Sequence, residues 1–161
     1  MFTQFLHWLE STAAAVAISE SSWLFPGIES IHVIAITLVV GSITMVDLRL
    51  LGINLRDRPV GELMAEVLPW TWMSFAVAVC TGALLFASNA THYWGTVPFR
   101  AKMLVLALAG LNMMVFHATI HRSVGAWGHQ PQTPRAAKIS GGLSLSLWIG
   151  VVSFGRWIGF V

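Results

Sequence analysis

Histidine is the residue type in this sequence that is best suited to hold a metal or a haem, and the chain contains six of them. His32 lies a few residues into the first long apolar segment, and His92 lies just past the end of the second. Two neutral imidazoles that face each other across a helical bundle can bind the iron of haem b. The pair therefore predicts an outer haem site. A hydrogen bond to a neighbouring helix is the plain alternative for His32, and a solvated turn is the plain alternative for His92.

Three cations are expected at the same face of the membrane as these two histidines. Arg100 and Lys102 open the third apolar segment, and Arg156 closes the fourth. Haem propionates in membrane proteins usually point toward water, and cations form charge-assisted hydrogen bonds with carboxylates. We therefore predict that these three side chains bind the propionates.

A second group of polar residues is expected near the opposite face. Asp47 lies about 20 residues into the first segment and His117 about 19 residues into the third, which places them at a similar depth. A carboxylate that accepts a hydrogen bond from an imidazole fixes its orientation. We predict that His117, oriented by Asp47, binds an inner haem or serves a quinone or proton site. A local ion pair between Asp47 and Arg49 is the alternative.

Two further side chains belong to this predicted inner site. His121 lies four residues after His117 and therefore on the same helix face, a spacing that can chelate a metal. Asn112 lies on the same segment and is a candidate cofactor contact. The sixth ligand of an inner haem iron stays open between His121, Met45 and Met64.

Depth excludes one simpler arrangement of the ligands. His32 and His117 differ by about 14 residues of helical rise, or roughly 20 Å, so they cannot bind the same iron. If both bind haem, the chain holds two haems near opposite faces of the membrane. The sequence leaves a count of one or two open, because no clear partner for His117 lies on another segment.

The segments that carry these residues have the composition of membrane spans. The chain is 56% hydrophobic and only 10% charged, whereas soluble domains are about 25% charged. A span needs roughly 20 mainly apolar residues. We predict one membrane domain, residues 1–161, with an all-α fold. It consists of a transmembrane four-helix bundle preceded by an amphipathic interfacial helix within residues 1–24, and the four spans are predicted at residues 27–52, 62–89, 98–122 and 134–159.

The distribution of charge predicts the orientation. Six Lys and Arg residues lie in or beside the turns after the first and third spans, against three at the other side. Because cytoplasmic loops carry an excess of Lys and Arg, we predict both termini in the periplasm of a bacterium and the chain in its inner membrane. The basic residues form no stripe, so no nucleic-acid partner is expected.

Several functions remain compatible with these residues. The first hypothesis is a haem-b protein that transfers electrons, with a quinone and a membrane or periplasmic redox protein as its candidate partners. The second is a structural or assembly subunit, as a homo-oligomer or part of a larger complex. The third is a carrier for a metal or small solute that uses Asp47, His117 and His121. No hydrolytic motif is present, and whether the chain is an enzyme stays open.

Three stretches resemble a group of small bacterial four-span membrane proteins of unknown function, namely residues 31–52, 99–117 and 146–160. The residues that carry the match are His32, the Asp-Leu-Arg-Leu-Leu-Gly run from Asp47, Lys102, Asn112, His117 and Arg156. With histidines near both faces, the layout is also similar to di-haem membrane cytochromes b and to copper-resistance D-like proteins. This resemblance implies a four-helix bundle and is compatible with haem or metal binding.

Overall fold

The computed structural model describes residues 1–130 and 132–160, which form helices and turns without any β-strand. The all-α fold predicted from the sequence is therefore confirmed. The helices in chain order are α1 (Phe2–Glu10), α2 (Ala13–Glu20), α3 (Leu24–Leu51), α4 (Val60–Ser88), α5 (Ala90–Gly95), α6 (Val97–Val115), α7 (Val124–Trp127) and α8 (Arg135–Trp157).

Four helical stretches are long and apolar enough to cross a membrane, and they indicate a multi-pass membrane protein. They are Leu24–Leu51, Val60–Ser88, Val97–Trp127 and Arg135–Phe160. The third joins α6 to α7 through a π-helical turn, Phe116–Ile120, and a 3₁₀ turn, His121–Ser123. It ends five residues beyond the predicted end at residue 122. The π-helical and 3₁₀ turns keep the backbone helical, although their hydrogen-bond spacing differs from that of an α-helix. The helical stretch therefore continues past Arg122, where the apolar run ends.

Local sequence explains where the long helices begin and end. Gly52 follows α3 with a φ of 74°, a left-handed conformation that glycine adopts without strain and that often ends a helix. Pro98 lies in the first turn of α6, and Pro59 and Pro134 immediately precede α4 and α8. Proline suits these positions because the first turn of a helix does not use its backbone N–H.

The N-terminal segment contains two short helices, whereas the sequence predicted one. The break lies at Ser11 and Thr12, whose hydroxyls donate to the carbonyl oxygens of Trp8 and Leu9 over 2.7 and 2.8 Å. The Thr12 hydroxyl also accepts a hydrogen bond from the N–H of Ala15 and so caps α2. Serine and threonine favour such positions because their hydroxyls replace the missing helical partners.

The long helices form two antiparallel pairs around a central contact. α3 packs along α4, α6 packs along α8, and α3 and α8 join the two pairs, while α4 and α6 do not pack closely together. Gly141 allows the central contact, since a β-carbon there would lie 3.1 Å from Leu50 Cβ and 3.2 Å from the Asp47 carbonyl oxygen. Small residues let membrane helices approach in this way.

A buried arginine ties together the two long connections at one end of the bundle. Arg49 is only 1% exposed. Its guanidinium donates to the carbonyl oxygens of Arg58 (2.8 Å), Gln130 (3.1 Å) and Gly128 (3.4 Å) and to the hydroxyl of Thr133 (3.3 Å). The local ion pair with Asp47 considered from the sequence is not formed within the described part of the chain. Arg49 holds loops instead.

Candidate functional site

A cavity of about 700 Å³ lies between α3, α4, α6 and α8 at the end of the bundle that carries both chain termini. We call it the His32 cavity. Its walls are mostly aliphatic, aromatic or glycine residues, and its ionisable side chains are Glu29, His32, Tyr93, Lys102 and Arg156. Its volume lies within the range of about 300–1,000 Å³ that is typical of ligand pockets.

The His32 ring is held in one orientation by α4. Its Nδ1 lies 2.9 Å from the hydroxyl oxygen of Thr81, and that hydroxyl donates its own proton to the carbonyl oxygen of Val77 over 2.7 Å. With the hydroxyl proton on the Val77 carbonyl oxygen, the Thr81 oxygen accepts from Nδ1–H of His32. In the neutral ring Nε2 then keeps its lone pair, and it forms no hydrogen bond within residues 1–130 and 132–160.

Gly82 provides the space for this ring. A β-carbon at Gly82 would lie 2.9 Å from Cε1 of His32, closer than side-chain atoms normally approach. An alanine there would therefore force the imidazole to move. Thr81 and Gly82 together form a polar and small-residue cradle for the ring in the middle of an apolar helix.

The two cations of the His32 cavity have no carboxylate partner in the described structure. The ion pairs of the described residues join His7 to Glu10 and Arg58 to Glu66, and both lie outside the His32 cavity. Lys102 packs on Gly155, and the guanidinium of Arg156 lies 5.2 Å from the ring centroid of Phe160. Glu29 lines the same cavity but pairs with neither cation in the described structure, so both can form charge-assisted hydrogen bonds with an anionic ligand.

Tyr93 adds a phenol hydroxyl to the same cavity. It lies on the short helix α5, between the second and third long helices. Burial raises the pKa of Tyr93, and the negative charge of Glu29 raises it further. The phenol therefore stays protonated at neutral pH and is available as a hydrogen-bond donor.

Two of the predicted outer residues lie outside this cavity. His92 is exposed, and its ring packs edge-on to Tyr93 with centroids 5.9 Å apart. Arg100 is also exposed, and neither residue lines the cavity. The structure therefore brings His32, Lys102 and Arg156 together but does not assemble the predicted pair of His32 and His92.

A second cavity of about 380 Å³ lies between the two helix pairs nearer the opposite end of the bundle. We call it the Asp47 cavity. Its walls are largely apolar, with aromatic and methionine side chains from α4, α6 and α8. The polar residues that line it are Asp47, Thr71, Asn112, His117, Ser140 and Ser144.

The two predicted partners Asp47 and His117 line this cavity but do not hydrogen-bond to each other in the described residues. The Nδ1–H of His117 donates to the carbonyl oxygen of Met113 over 2.9 Å. Asp47 is 4% exposed, its Oδ2 has no hydrogen-bond partner in the described structure, and Ser144 faces the carboxyl group. The predicted orienting bond is absent because a backbone carbonyl four residues earlier already uses Nδ1.

Asn112 connects two helices instead of pointing freely into the cavity. Its Nδ2 donates to the carbonyl oxygen of Ser140, and the Ser140 hydroxyl donates back to its Oδ1, each over 3.1 Å. This reciprocal pair satisfies the amide and holds α6 against α8. The side chain still lines the cavity, but both ends of its amide are occupied by the neighbouring helix.

His121 lies beside His117 without completing a metal site. Their ring centroids are 5.2 Å apart, and Nδ1 of His121 is buried without a hydrogen-bond partner in the described residues. No group of three or more metal-binding His, Cys, Asp or Glu side chains occurs in residues 1–130 and 132–160. Of the two methionines considered as ligands, Met64 lines the Asp47 cavity and Met45 is exposed.

Residues 4–161 match a family of unknown function, DUF6644. The chain belongs to this family. No curated protein and no protein of solved structure matches it significantly. The family match agrees with the resemblance to proteins of unknown function, and nothing in these comparisons supports the likeness to cytochromes b or copper-resistance proteins. Both cavities lie within the part of the chain that DUF6644 covers.

Sequence reasoning missed the residues that support the candidate ligands. Thr81 received no role, because a threonine in an apolar helix usually bonds only to its own backbone. Gly82, Tyr93 and Ser144 likewise have no predicted role in a site. A threonine followed by glycine at the depth of a histidine on the adjacent helix is the signal that points to Thr81 and Gly82.

Proposed function

We propose that this member of DUF6644 binds one haem b in the His32 cavity and transfers electrons within the membrane. The observation that carries the proposal is the arrangement of His32 with Lys102 and Arg156 in one apolar cavity. His32 offers an unbonded Nε2, and the two cations form no ion pair in the described structure, although Glu29 lines the same cavity. When bound, the haem supplies one-electron chemistry.

The residues present fit such a group in their chemistry. His32 Nε2 would hold the iron, and the Thr81 hydroxyl would keep the ring in the tautomer that a metal requires. Lys102 and Arg156 would pair with the propionates. The aromatic side chains Phe86 and Phe99, which stack with centroids 5.0 Å apart, supply apolar walls.

One haem is proposed rather than two. The Asp47 cavity has about half of the volume of the His32 cavity, and its imidazole, His117, has no second imidazole in the cavity lining. His32 is likewise the one imidazole that lines its cavity in the described residues. The proposal is therefore a single haem with one histidine ligand, which differs from a bis-histidine cytochrome.

The surroundings of the proposed site suggest where its electrons come from and go to. We propose a lipid-soluble quinone as one redox partner and a periplasmic or membrane protein as the other. The excess of Lys and Arg at the loops of the opposite end supports an inner-membrane location with the termini and the His32 cavity toward the periplasm. The small extramembrane parts also favour a homo-oligomer or a subunit role in a complex.

The decisive experiment is haem reconstitution with matched histidine variants. The protein, purified in detergent, is titrated with haem b, and the Soret band and the pyridine haemochrome are measured. We expect one haem per chain, loss of binding in His32→Leu, and unchanged binding in His92→Leu. A haem-replete preparation without a Soret band, or equal binding by both variants and the wild type, would overturn the proposal.

A cavity-filling pair separates binding from folding. Gly41 lines the His32 cavity, and a β-carbon there would meet no neighbouring atom within 4 Å, so a leucine side chain has room to enter the cavity. Gly27 on the same helix is equally open but does not line the cavity. We expect Gly41→Leu to abolish haem binding in a folded protein and Gly27→Leu to retain it. Retention of haem by both would contradict this location.

A further inference from the structure

The Asp47 cavity is a separate site from the proposed haem cavity. The two share no lining residue. Asp47 and His32 lie 15 positions apart on α3, which corresponds to about 22 Å along a helix. A ligand in the Asp47 cavity would therefore be recognised by different groups, and its binding is measurable without haem.

Two polar groups of this cavity, Asp47 Oδ2 and His117 Nε2, are free to accept hydrogen bonds. Oδ2 of Asp47 is buried and has no partner in the described residues, although buried polar atoms are nearly always paired. His117 uses its Nδ1–H on the carbonyl oxygen of Met113, so Nε2 of the neutral ring can only accept. Asn112 and Ser140 are paired with each other. A ligand that donates two hydrogen bonds complements these two acceptors, beside the Ser144 hydroxyl that faces the Asp47 carboxyl group.

The walls of the cavity define the rest of that ligand. Trp72, Phe75 and Trp148 provide flat apolar surfaces, and Met113 and Met114 provide adaptable ones. The cavity is bounded by α4 on one side and α6 on the other, and these two helices do not pack closely together. Trp72 and Met114 are also exposed on the apolar surface of the bundle. A neutral aromatic molecule can therefore enter sideways from the hydrocarbon.

We propose that the Asp47 cavity binds the head group of a hydroquinone from the bilayer, whose hydroxyl groups donate to the Asp47 carboxyl group and to His117 Nε2. A quinone of the same ring has only carbonyl acceptors and leaves both protein groups unpaired. The site therefore prefers the reduced form. A role of this site in electron transfer rests on the proposed function. The site adds to that function a location and a redox preference for the quinone partner.

The test compares a short-chain ubiquinol with the corresponding ubiquinone on haem-free protein in detergent. Binding is measured by equilibrium dialysis and by the rise in unfolding temperature, which a ligand selective for the folded state produces. We expect the quinol to bind at least about tenfold tighter, since the unpaired acceptors penalise the quinone. Equal affinity for the two forms, or no binding of either, would overturn the proposal.

Two variants locate the binding site. Asp47→Asn replaces one acceptor oxygen with an amide donor, so the preference for the quinol should fall and quinone binding should improve. Its control is Asp57→Asn, an exposed change of the same kind in the loop after α3. Unchanged selectivity in Asp47→Asn would contradict the proposed contact.

Gly110→Leu provides a readout that does not depend on the carboxyl group. Gly110 lines the cavity, and a β-carbon there would meet no neighbouring atom within 4 Å, so leucine should fill the space and abolish quinol binding. Gly125 is equally open outside the cavity, and Gly125→Leu should bind normally. Binding by Gly110→Leu at wild-type affinity would place the ligand elsewhere.

His32→Leu distinguishes the two proposals. The substitution removes the proposed haem ligand. Because His32 lines only the His32 cavity, the variant should bind the quinol like the wild type. Loss of haem with retained quinol selectivity supports both sites. If the wild type binds haem but does not prefer the quinol, only the proposal for the Asp47 cavity fails. If it prefers the quinol but binds no haem, only the proposal for the His32 cavity fails.

Discussion

Thr81 determines which nitrogen of His32 is available to a ligand. Its hydroxyl proton is committed to the carbonyl oxygen of Val77, so it accepts from Nδ1 and leaves Nε2 toward the cavity. Partners of this kind fix the tautomer and the ring orientation of metal-binding histidines, and their loss typically costs 10–100-fold in affinity. A residue that never touches the ligand thus controls the residue that does.

Thr81→Val tests this control, because it removes the hydroxyl and keeps the shape of the side chain. We expect haem affinity to fall by about tenfold while the fold is retained. Thr119→Val is the matched control, since the exposed Thr119 hydroxyl donates to the Val115 carbonyl oxygen four residues earlier. Haem titration measures both, and an equal effect of the two substitutions would argue against a role for the Thr81 hydroxyl.

Arg49→Lys tests the buried guanidinium that joins the loops. Lysine keeps the charge but cannot reach the carbonyl oxygens of Arg58, Gly128 and Gln130 together. We expect the free energy of unfolding to fall by about 2–4 kcal/mol, measured by thermal unfolding in detergent. The same change at the exposed Arg58, whose ion pair with Glu66 lies at the surface, should cost no more than about 0.5 kcal/mol.

The sequence did not reveal the direction in which the candidate side chains point around their helices. The rise per residue placed His32 level with Lys102 and Arg156, and these three share a cavity. It could not reveal that His92 follows a backbone break at Asn89 and faces outward. Nor could it reveal the hydrogen bond that commits His117 Nδ1 to the backbone. Depth follows from counting residues, whereas facing requires the packed structure.

At the scale of the elements, α1 is fastened to the short helix α5. The Glu10 carboxylate accepts the backbone N–H of Thr91 over 2.7 Å, and the rings of Phe2 and Trp94 lie 5.0 Å apart. The hydrogen bond from Thr91 holds the pKa of Glu10 below its usual value of 4.5. Because Tyr93 of α5 lines the His32 cavity, the contact between α1 and α5 also helps to position Tyr93.

The Glu10 contact predicts an acid-sensitive attachment of α1. A carboxyl whose pKa is lowered in the folded state stabilises that state above its unfolded pKa and loses the effect as pH falls through the folded value. We expect α1 to loosen only below about pH 4.5, and Glu10→Gln to remove the pH dependence. The difference in tryptophan fluorescence between the wild type and Trp94→Phe, followed from pH 7 to pH 3, reports this, with Glu20→Gln as a control that should titrate like the wild type.

The secondary structure was more accessible to sequence than the site because composition and capping act locally. Apolar runs bounded by Gly52, Pro59, Pro98 and Pro134 anticipate the long helices. The break at Thr12 was missed, since the apolar spacing of the N-terminal segment continues across it. The π turn after Val115 was also missed, because no local residue pattern specifies it.

At the scale of the whole molecule, four helices that are each long enough to cross a membrane bring both termini to the same end of the bundle. From the Lys and Arg bias we expect that side to be the periplasm. Alkaline phosphatase fused after the last residue should be active in cells, and the same enzyme inserted within residues 53–57 should be inactive. The opposite pattern would invert the orientation of both cavities. Activity at both positions would place residues 53–57 and the C-terminus on the same side, which contradicts three crossings between them.

The fit of His32 against Gly82 has a consequence for chemical complementation. A His32→Gly protein would keep a hole with the dimensions of a free imidazole, bounded by the same threonine hydroxyl. Millimolar imidazole in the buffer should then restore a Soret band to the reconstituted protein, whereas it should not rescue His32→Leu, whose side chain fills the hole. A histidine can thus be converted into a small-molecule switch that is added and dialysed away.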